Sequence, residues 1–233
     1  MQVDVCLQPG DFAAQEYKHH TTVVIDVLRA TSSIITAFAN GSSSFVPVTT
    51  IEEARECKQR YIQALLAGER QGRCIDGFDI GNSPFEYTEE KVNGQRIIMT
   101  TTNGTRALQA ASFTNKVYIG AFLNAEFLCQ MLAREKQHVV ILCAGSEGRF
   151  SLEDALCAGL ISHRLSNVSN LSDTAMAAKA MYIGAKDQIS ACVTASSHAR
   201  YLISIGFERD VEYCLQHDRL TIVPVYSQGV IQL

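Results

Sequence analysis

Short apolar runs alternate with amphipathic stretches over the first two thirds of the chain. Runs rich in Val, Ile and Thr predict six β-strands, at Val3–Leu7, Thr22–Val27, Ser44–Val48, Arg96–Thr100, Val117–Gly120 and His138–Cys143. Apolar positions at helical spacing predict helices at Ala30–Asn40, Ile51–Ala67, Gly104–Ser112, Asn124–Glu135 and Leu152–Asn167. Such alternation is typical of mostly parallel sheets with helices on both faces. We therefore expect an α/β fold with three layers, α/β/α, with two subdomains as an option.

The pattern changes beyond Asn167. It predicts consecutive helices and then two short strands, at Asp173–Ile183, Gln188–Ile205, Glu208–Leu215, Thr221–Tyr226 and Gly229–Leu233. Thr50 and Glu53 have the spacing of a capping box, which marks the start of the second helix. The glycine-rich segment Gly68–Pro84 predicts a long loop, and long loops in compact domains are usually functional. We treat residues 1–233 as one unit, with a candidate subdomain boundary near 68–87.

Composition and charge narrow the class of protein. Hydrophobic residues make up 47% of the chain, which is typical of a globular protein. The formal net charge is −4 with no dense basic run, so we expect no nucleic-acid partner. No apolar run reaches the roughly 18 to 20 residues of a membrane span, and Met1–Cys6 is typical of a strand rather than of a signal peptide. The 8 cysteines form no C-x-x-C pair, which favours reduced thiols in the cytoplasm.

The first loop with candidate chemistry follows the strand that ends near Asp26. In open parallel sheets, ligands bind beyond the carboxyl ends of the strands. A carboxylate there can hold a hard cation, and Arg29 with Thr31 and the helix amides can hold an anion. The alternative is that Asp26 caps the helix and Arg29 is a solvated charge. Phosphatases with a D-x-D motif have a second acidic residue where this chain has Leu28, which weakens a covalent-aspartate mechanism.

The second loop follows Thr100 and carries hydroxyls, a glycine and an arginine around a helix start. Such groups suit a phosphate or sulfonate, and they are Thr102, Asn103, Gly104, Thr105 and Arg106. The alternative is a capped helix start without a ligand. The spacing of a Walker loop is missing.

The third loop follows Cys143 and contains Gly145, whose flexible backbone suits an anion site. Glu153 and Asp154 lie in the first turn of the next helix, where they either bind metal or simply favour the helix start. Cys143 and Arg149 also have the C-x5-R spacing of cysteine phosphatases, so a thiol nucleophile is a minority alternative.

The glycine-rich segment adds two further candidates. Glu69 and Arg70 place opposite charges side by side, and the Asn82-Ser83 turn can close over a ligand. A surface ion pair and a plain turn are the alternatives. The lone histidines, such as His198, are expected to be structural rather than catalytic.

Five stretches together resemble the 2-phosphosulfolactate phosphatase family: Val24–Ser32, Ala67–Arg70, Phe78–Pro84, Thr100–Ala107 and Phe150–Gly159. The resemblance implies a Mg²⁺-dependent hydrolysis of 2-phospho-3-sulfolactate to 3-sulfolactate and phosphate, a step of coenzyme M biosynthesis in methanogens. It does not indicate which residues bind the metal. A phosphatase acting on another small phosphorylated hydroxy acid, and a non-catalytic sensor of an anionic metabolite, are the alternatives.

The residues and the resemblance together give one hypothesis for the site. Asp26, with Glu69 or Glu153 and Asp154, holds Mg²⁺, and the catalytic set is Asp26, Arg29, Glu69 and Asp154. The anionic substrate is held by polar groups of all four segments, namely Arg29, Thr31, Arg70, Asn82, Ser83, Thr102, Asn103, Gly104, Thr105, Arg106 and Gly145. Partners other than the small phosphorylated substrate are limited to further copies of the chain, as a homo-oligomer.

Overall fold

A computed structural model describes all residues, 1–233, and it contains an eleven-stranded sheet with helices packed against it. The strands are β1 Gln2–Cys6, β2 Thr21–Ile25, β3 Ser44–Pro47, β4 Leu65–Arg70, β5 Arg73–Cys74, β6 Arg96–Thr100, β7 Lys116–Gly120, β8 Val139–Cys143, β9 Asn170–Leu171, β10 Val225–Ser227 and β11 Val230–Gln232. The helices are α1 Ala30–Ala39, α2 Ile51–Arg60, α3 Glu89–Val92, α4 Gly104–Ala111, α5 Ala125–Glu135, α6 Leu152–Leu165, α7 Asp173–Ala185, α8 Ile189–Thr194, α9 Ser197–Ser204 and α10 Glu208–Cys214.

Two parallel blocks make up most of the sheet, and the terminal hairpin joins them. The strand order is β5-β4-β6-β3-β11-β10-β7-β2-β8-β1-β9. Strands β4, β6 and β3 are parallel to one another, as are β7, β2, β8, β1 and β9. The hairpin β10–β11 pairs antiparallel with β7 on one side and β3 on the other. The last residues of the chain therefore complete the middle of the sheet.

Both faces of the sheet are buried, as the α/β prediction requires. Val23 and Ile25 of β2 belong to an apolar cluster of 32 buried residues that includes side chains of α5 and α6. Val24, between them, belongs to a second cluster of 25 buried residues that includes side chains of α1 and α4. Successive strand residues point to opposite faces, so β2 is covered by helices on both sides. The mixed α/β class with three layers is confirmed.

Most predicted elements are confirmed to within about two residues. This holds for the six strands of the first two thirds and for the helices α1, α4, α5, α6, α7 and α10. The capping box is also present, because the Glu53 amide donates to Thr50 Oγ1 over 3.0 Å and the Thr50 amide donates to Glu53 Oε2 over 3.3 Å.

Four predicted elements differ from the structure in their boundaries. The helix predicted over Ile51–Ala67 ends at Arg60, and Leu65 begins strand β4, because a short apolar run suits a buried strand as well as a helix. Gly68–Pro84 is therefore not one loop, since it contains the end of β4 and the whole of β5, which pair as a hairpin. The helix predicted over Gln188–Ile205 is two helices, and the Ser196 side chain caps the second. The first terminal strand begins later, at Val225.

The residues on both sides of segment 68–87 lie in one sheet. Leu65 to Gly68 of β4 pair in parallel with Ile97 to Thr100 of β6. Gly68 is needed at this contact, because a Cβ there would lie 2.2 Å from the Thr100 carbonyl oxygen. None of the helices combines the length and apolar character required to cross a bilayer.

Candidate active site

A cavity of about 310 Å³ lies where the loops after β2, β4, β6 and β8 meet helix α9. Four charged residues predicted from the sequence line it: Asp26, Arg29, Glu69 and Arg70. Three predicted polar residues line it as well, Asn82, Thr102 and Asn103. The structure thus brings residues from four separate segments of the chain into one polar pocket.

Asp26 directly follows β2 and is buried, yet only one of its carboxylate oxygens accepts a hydrogen bond. The Ala30 amide donates to Oδ1 over 3.2 Å. Oδ2 faces the start of α4, where a Cβ on Gly104 would lie 2.7 Å from it, so glycine permits this close packing. Burial raises the pKa of Asp26 to about 6, and the charges of Glu69 and Glu153 add to the effect against the opposing charge of His198. Asp26 is therefore a carboxylate whose charge the protein leaves poorly compensated.

Glu69, at the end of β4, has both carboxylate oxygens engaged. Oε1 accepts from the Thr102 amide and Oε2 from the Gly72 amide, each over 2.8 Å. The side chain therefore ties the loop after β6 to the turn of the β4–β5 hairpin. The Thr102 amide, expected to bind an anion, is already used by Glu69.

Asp154, in the first turn of α6, is engaged in the same way. Oδ1 accepts from the Val27 amide over 2.8 Å and Oδ2 from the Gly145 amide over 3.0 Å. Burial raises the pKa of Asp154 well above its usual value, as do the charges of Asp26 and Glu153, and these effects outweigh the two amides. Asp154 lies behind the pocket wall and joins the loops after β2 and β8.

Glu153 contacts His198, a histidine that the sequence predicts to be structural. Glu153 Oε1 lies 2.8 Å from His198 Nδ1, while Glu153 Oε2 is buried without a hydrogen-bond partner. Burial opposes both charges, but their mutual interaction raises the pKa of His198 and lowers the pKa of Glu153. His198 lines the pocket. Local sequence carried no signal for this contact, because α9 and α6 are brought together only by the fold.

Arg29 is buried in the pocket wall and is paired with Asp210 of α10, a residue without a predicted role. Arg29 Nη1 donates to Asp210 Oδ2 and Nη2 to the Gly72 carbonyl, each over 2.5 Å. Its guanidinium lies over the Phe207 ring, 4.0 Å from the centroid. Ser83, predicted to contact substrate, donates to Asp210 Oδ1 over 2.9 Å.

The remaining predicted residues divide between the pocket and the local turns that shape it. Arg70 donates to Thr100 Oγ1 over 3.0 Å and to the Glu69 carbonyl over 2.7 Å. The hydroxyls of Thr31 and Thr105 close turns with Asp26 and Thr101, respectively. Arg106 is exposed and lies outside the pocket lining.

Cys143 is fully buried at the end of β8. Burial raises the pKa of its thiol well above the usual value, and the charge of Asp154 adds to this. Arg149, the partner in the C-x5-R spacing, is exposed in the turn that follows. The geometry therefore disfavours the thiol as a nucleophile.

The carboxylates suit a divalent cation that takes most of its ligands from water molecules and from the substrate. No three or more His, Cys, Asp or Glu side chains are grouped as a complete metal site. Mg²⁺ is usually bound by one or two carboxylates together with water and substrate phosphate, so a complete protein cage is not required. Asp26 Oδ2 accepts no hydrogen bond and Glu153 Oε2 is buried without one, whereas both oxygens of Glu69 and Asp154 accept amides. Asp26 and Glu153 are the better donors.

Comparisons with known proteins give a consistent result. The family model described as 2-phosphosulpholactate phosphatase matches residues 6–229. A protein of Clostridium acetobutylicum, named probable 2-phosphosulfolactate phosphatase, is 39% identical over 99% of this chain and 100% of its own length. A protein of Thermotoga petrophila with the same name is 42% identical over 99% of this chain and 98% of its own length. The similarity thus spans every loop of the pocket.

Proposed function

The chain belongs to the 2-phosphosulfolactate phosphatase family of phosphoric monoester hydrolases, and we propose that it hydrolyses 2-phospho-3-sulfolactate to 3-sulfolactate and phosphate with the aid of Mg²⁺. The names of its relatives support this substrate. Because all 8 cysteines are free, we place the enzyme in a reducing compartment, the cytoplasm.

One observation carries the chemical part of the proposal: Asp26 combines burial, a free oxygen and a pocket position. Its pKa, raised to about 6, reflects a charge that lacks compensating donors. A cation beside Oδ2 would supply the missing compensation. Perturbed carboxylates in clefts are typical of functional sites.

Asp26 Oδ2 would hold the metal, and Glu153 Oε2 is the second candidate donor. When bound, Mg²⁺ would neutralise negative charge on the phosphoryl oxygens. Glu69 and Asp154 contribute differently: their hydrogen bonds to main-chain amides fix the loops that surround Asp26. They therefore preserve the pocket geometry rather than act on the substrate.

The substrate carries a phosphate, a carboxylate and a sulfonate, so the pocket must supply cationic and amide groups. Arg29 and Arg70 both line the pocket and provide fixed N–H donors. Asn82 lines it too and can donate to an anion through its side-chain NH₂, whereas its buried Oδ1, which has no partner, can only accept. We propose that these three residues bind the anionic groups and orient the substrate.

Two nucleophiles are consistent with the pocket. In one route water attacks phosphorus, a new P–O bond forms, the ester P–O bond breaks, and the leaving oxygen takes up a proton. In the other route Asp26 attacks first, and water then hydrolyses the aspartyl phosphate. The acid of the D-x-D motif is replaced by Leu28, which favours direct attack by water. Rapid acid quenching during turnover tests this choice, because a trapped aspartyl phosphate would establish the second route.

Phosphate release tests the proposed function. The enzyme is incubated with 2-phospho-3-sulfolactate and, in parallel, with other small phosphorylated hydroxy acids. Each reaction is run with Mg²⁺, with EDTA, and with EDTA followed by excess Mg²⁺. We expect release that is fastest with phosphosulfolactate, lost in EDTA and restored by Mg²⁺. Unchanged release in EDTA would refute the metal dependence, and faster release from another substrate would reassign the substrate.

A further inference from the structure

The side chain of Asp210 is buried beside the pocket and contacts two segments that form its wall. Arg29 and Asp210 are almost fully buried, with side-chain exposures of 1% and 5%. Asp210 Oδ2 accepts from Arg29 Nη1, and Oδ1 accepts from the Ser83 hydroxyl over 2.9 Å. A helix near the end of the chain thus holds both the loop after β2 and the Asn82-Ser83 turn.

The guanidinium of Arg29 is held on three sides. Asp210 binds Nη1, the Gly72 carbonyl binds Nη2, and the Phe207 ring covers one face at 4.0 Å from the centroid. The Gly72 carbonyl is itself fixed, because its turn packs against Leu202 and because Tyr201 donates to the neighbouring Gln71 carbonyl over 3.1 Å.

This arrangement leaves part of the guanidinium free. An arginine side chain has five N–H donors. Two are used by Asp210 and Gly72, and Arg29 lines the pocket despite its burial. Planar guanidinium groups bind phosphate and carboxylate through paired N–H donors, and this geometry depends on the orientation of the plane.

We propose that Asp210 is a positioning residue for the reaction: it fixes the plane of the Arg29 guanidinium so that the free N–H groups face an anionic group of the substrate. This inference rests on the proposed function, because it assigns Arg29 to substrate binding. Asp210 itself touches no substrate and acts through Arg29. A displaced guanidinium weakens binding of the anion, because paired N–H donors bind it only in the correct orientation.

Asp210→Asn tests the proposal, since asparagine has the same shape without the charge. Two readouts are used: the steady-state constants for substrate, and the dissociation constant of inorganic phosphate measured by calorimetry without turnover. We expect KM and the phosphate dissociation constant to rise about tenfold, with a smaller fall in kcat. In an Arg29→Lys background, Asp210→Asn should add less than about a twofold effect, because the group it positions is gone.

Asp218→Asn is the matched control. Asp218 accepts from Arg164 over 2.9 and 2.6 Å, and neither residue lines the pocket. This variant should leave KM and phosphate affinity unchanged. If Asp210→Asn does not fold, Phe207→Leu serves instead, because it removes the ring beneath the guanidinium and should weaken phosphate binding in the same direction.

The outcomes separate this inference from the proposed function. Phosphate binding that weakens in Asp210→Asn supports the inference even when wild-type enzyme releases no phosphate from phosphosulfolactate, a result that would refute only the proposed function. An active wild type together with unchanged KM and phosphate affinity in the variant would overturn the inference alone. Full additivity with Arg29→Lys, or no phosphate binding by wild type, would also overturn it.

Discussion

The pocket contains two acidic regions that use the same chemical group in opposite ways. At the end of β2, the Asp26 carboxylate is buried with one oxygen that accepts no hydrogen bond. At the end of β4, both oxygens of Glu69 accept main-chain amides from two different loops. The difference teaches that proximity to the pocket does not define the role of a carboxylate. Its role depends on how many hydrogen-bond donors contact its oxygens. A carboxylate with few donors attracts a cation, whereas a carboxylate with both oxygens hydrogen-bonded stabilises the loops.

Helix α6 repeats this contrast on adjacent residues. Glu153 has one buried oxygen without a partner, whereas both oxygens of Asp154 accept amides from the loops after β2 and β8. Adjacent acids at a helix start therefore differ in role for the same reason as Asp26 and Glu69.

The largest effect is expected for Asp26→Asn. The variant removes the charge but keeps the acceptor for the Ala30 amide. We expect phosphate release to fall about 100- to 1000-fold, a range typical of lost electrostatic stabilisation. Because the ionised side chain is buried with few donors, the same variant should unfold at a higher temperature than wild type in EDTA. Activity assays and thermal unfolding check both points. An unchanged rate would contradict the role of Asp26, and a lower unfolding temperature would contradict its uncompensated charge.

A different result is expected for Glu69→Gln. The amide group of glutamine can accept only one of the two hydrogen bonds, so its NH₂ faces either the Thr102 or the Gly72 amide. We expect a loss of about 1–3 kcal/mol in the free energy of unfolding and a fall of about tenfold in activity. Denaturant titration and initial rates measure the two quantities. Lost activity with unaltered stability would indicate that Glu69 has the same kind of role as Asp26, which would contradict the comparison.

The smallest effect is expected at Asp4, which lies outside the pocket and whose carboxylate accepts hydrogen bonds from several side chains. Tyr17 donates to Oδ2 over 2.7 Å, and Ser172 and Thr174 donate to Oδ1 over 2.6 and 2.7 Å. Burial opposes the charge, but these hydrogen bonds outweigh it and lower the pKa of Asp4. A lowered folded-state pKa gives stability that is present above the unfolded pKa, about 3.9, and is lost as the pH falls through the folded pKa.

Asp4→Asn should therefore cost about 1 kcal/mol at pH 7, and the difference from wild type should shrink below about pH 4. Unfolding titrations of both proteins across this range provide the measurement. A difference that grows towards low pH would reverse the sign and contradict the assignment. Catalytic rates should be unchanged, since Asp4 does not line the pocket.

The sequence predicts those elements of the fold whose hydrophobic pattern suits only one kind of secondary structure. Elements with a clear hydrophobic period, such as β2 and α1, were predicted because burial on both sheet faces imposes that pattern. Strand β4 was predicted as helix because Leu65 to Ala67 form a short apolar run, which suits either state, directly after a segment with helical spacing of apolar positions.

The site was predicted at the level of loops rather than of roles. Asp26 and Arg29 were predicted because they lie where a strand ends and a helix begins, and Glu69 because it stands beside Arg70 in a glycine-rich segment. The contacts of His198 and Asp210 were not predicted, because their partners are distant in sequence and meet only in the folded chain. No local pattern shows which carboxylate oxygens will accept hydrogen bonds from amides, because the loops that carry these amides meet only in the folded chain.

Mg²⁺ binding measured by calorimetry on wild type, Asp26→Asn and Glu69→Gln tests the central claim most directly. The claim is that the carboxylate with a free oxygen holds the metal, while the amide-bound one shapes the pocket. We predict that Asp26→Asn abolishes detectable Mg²⁺ binding and that Glu69→Gln retains it with at most about a tenfold loss in affinity. Wild-type affinity in Asp26→Asn, or loss of binding only in Glu69→Gln, would contradict the account.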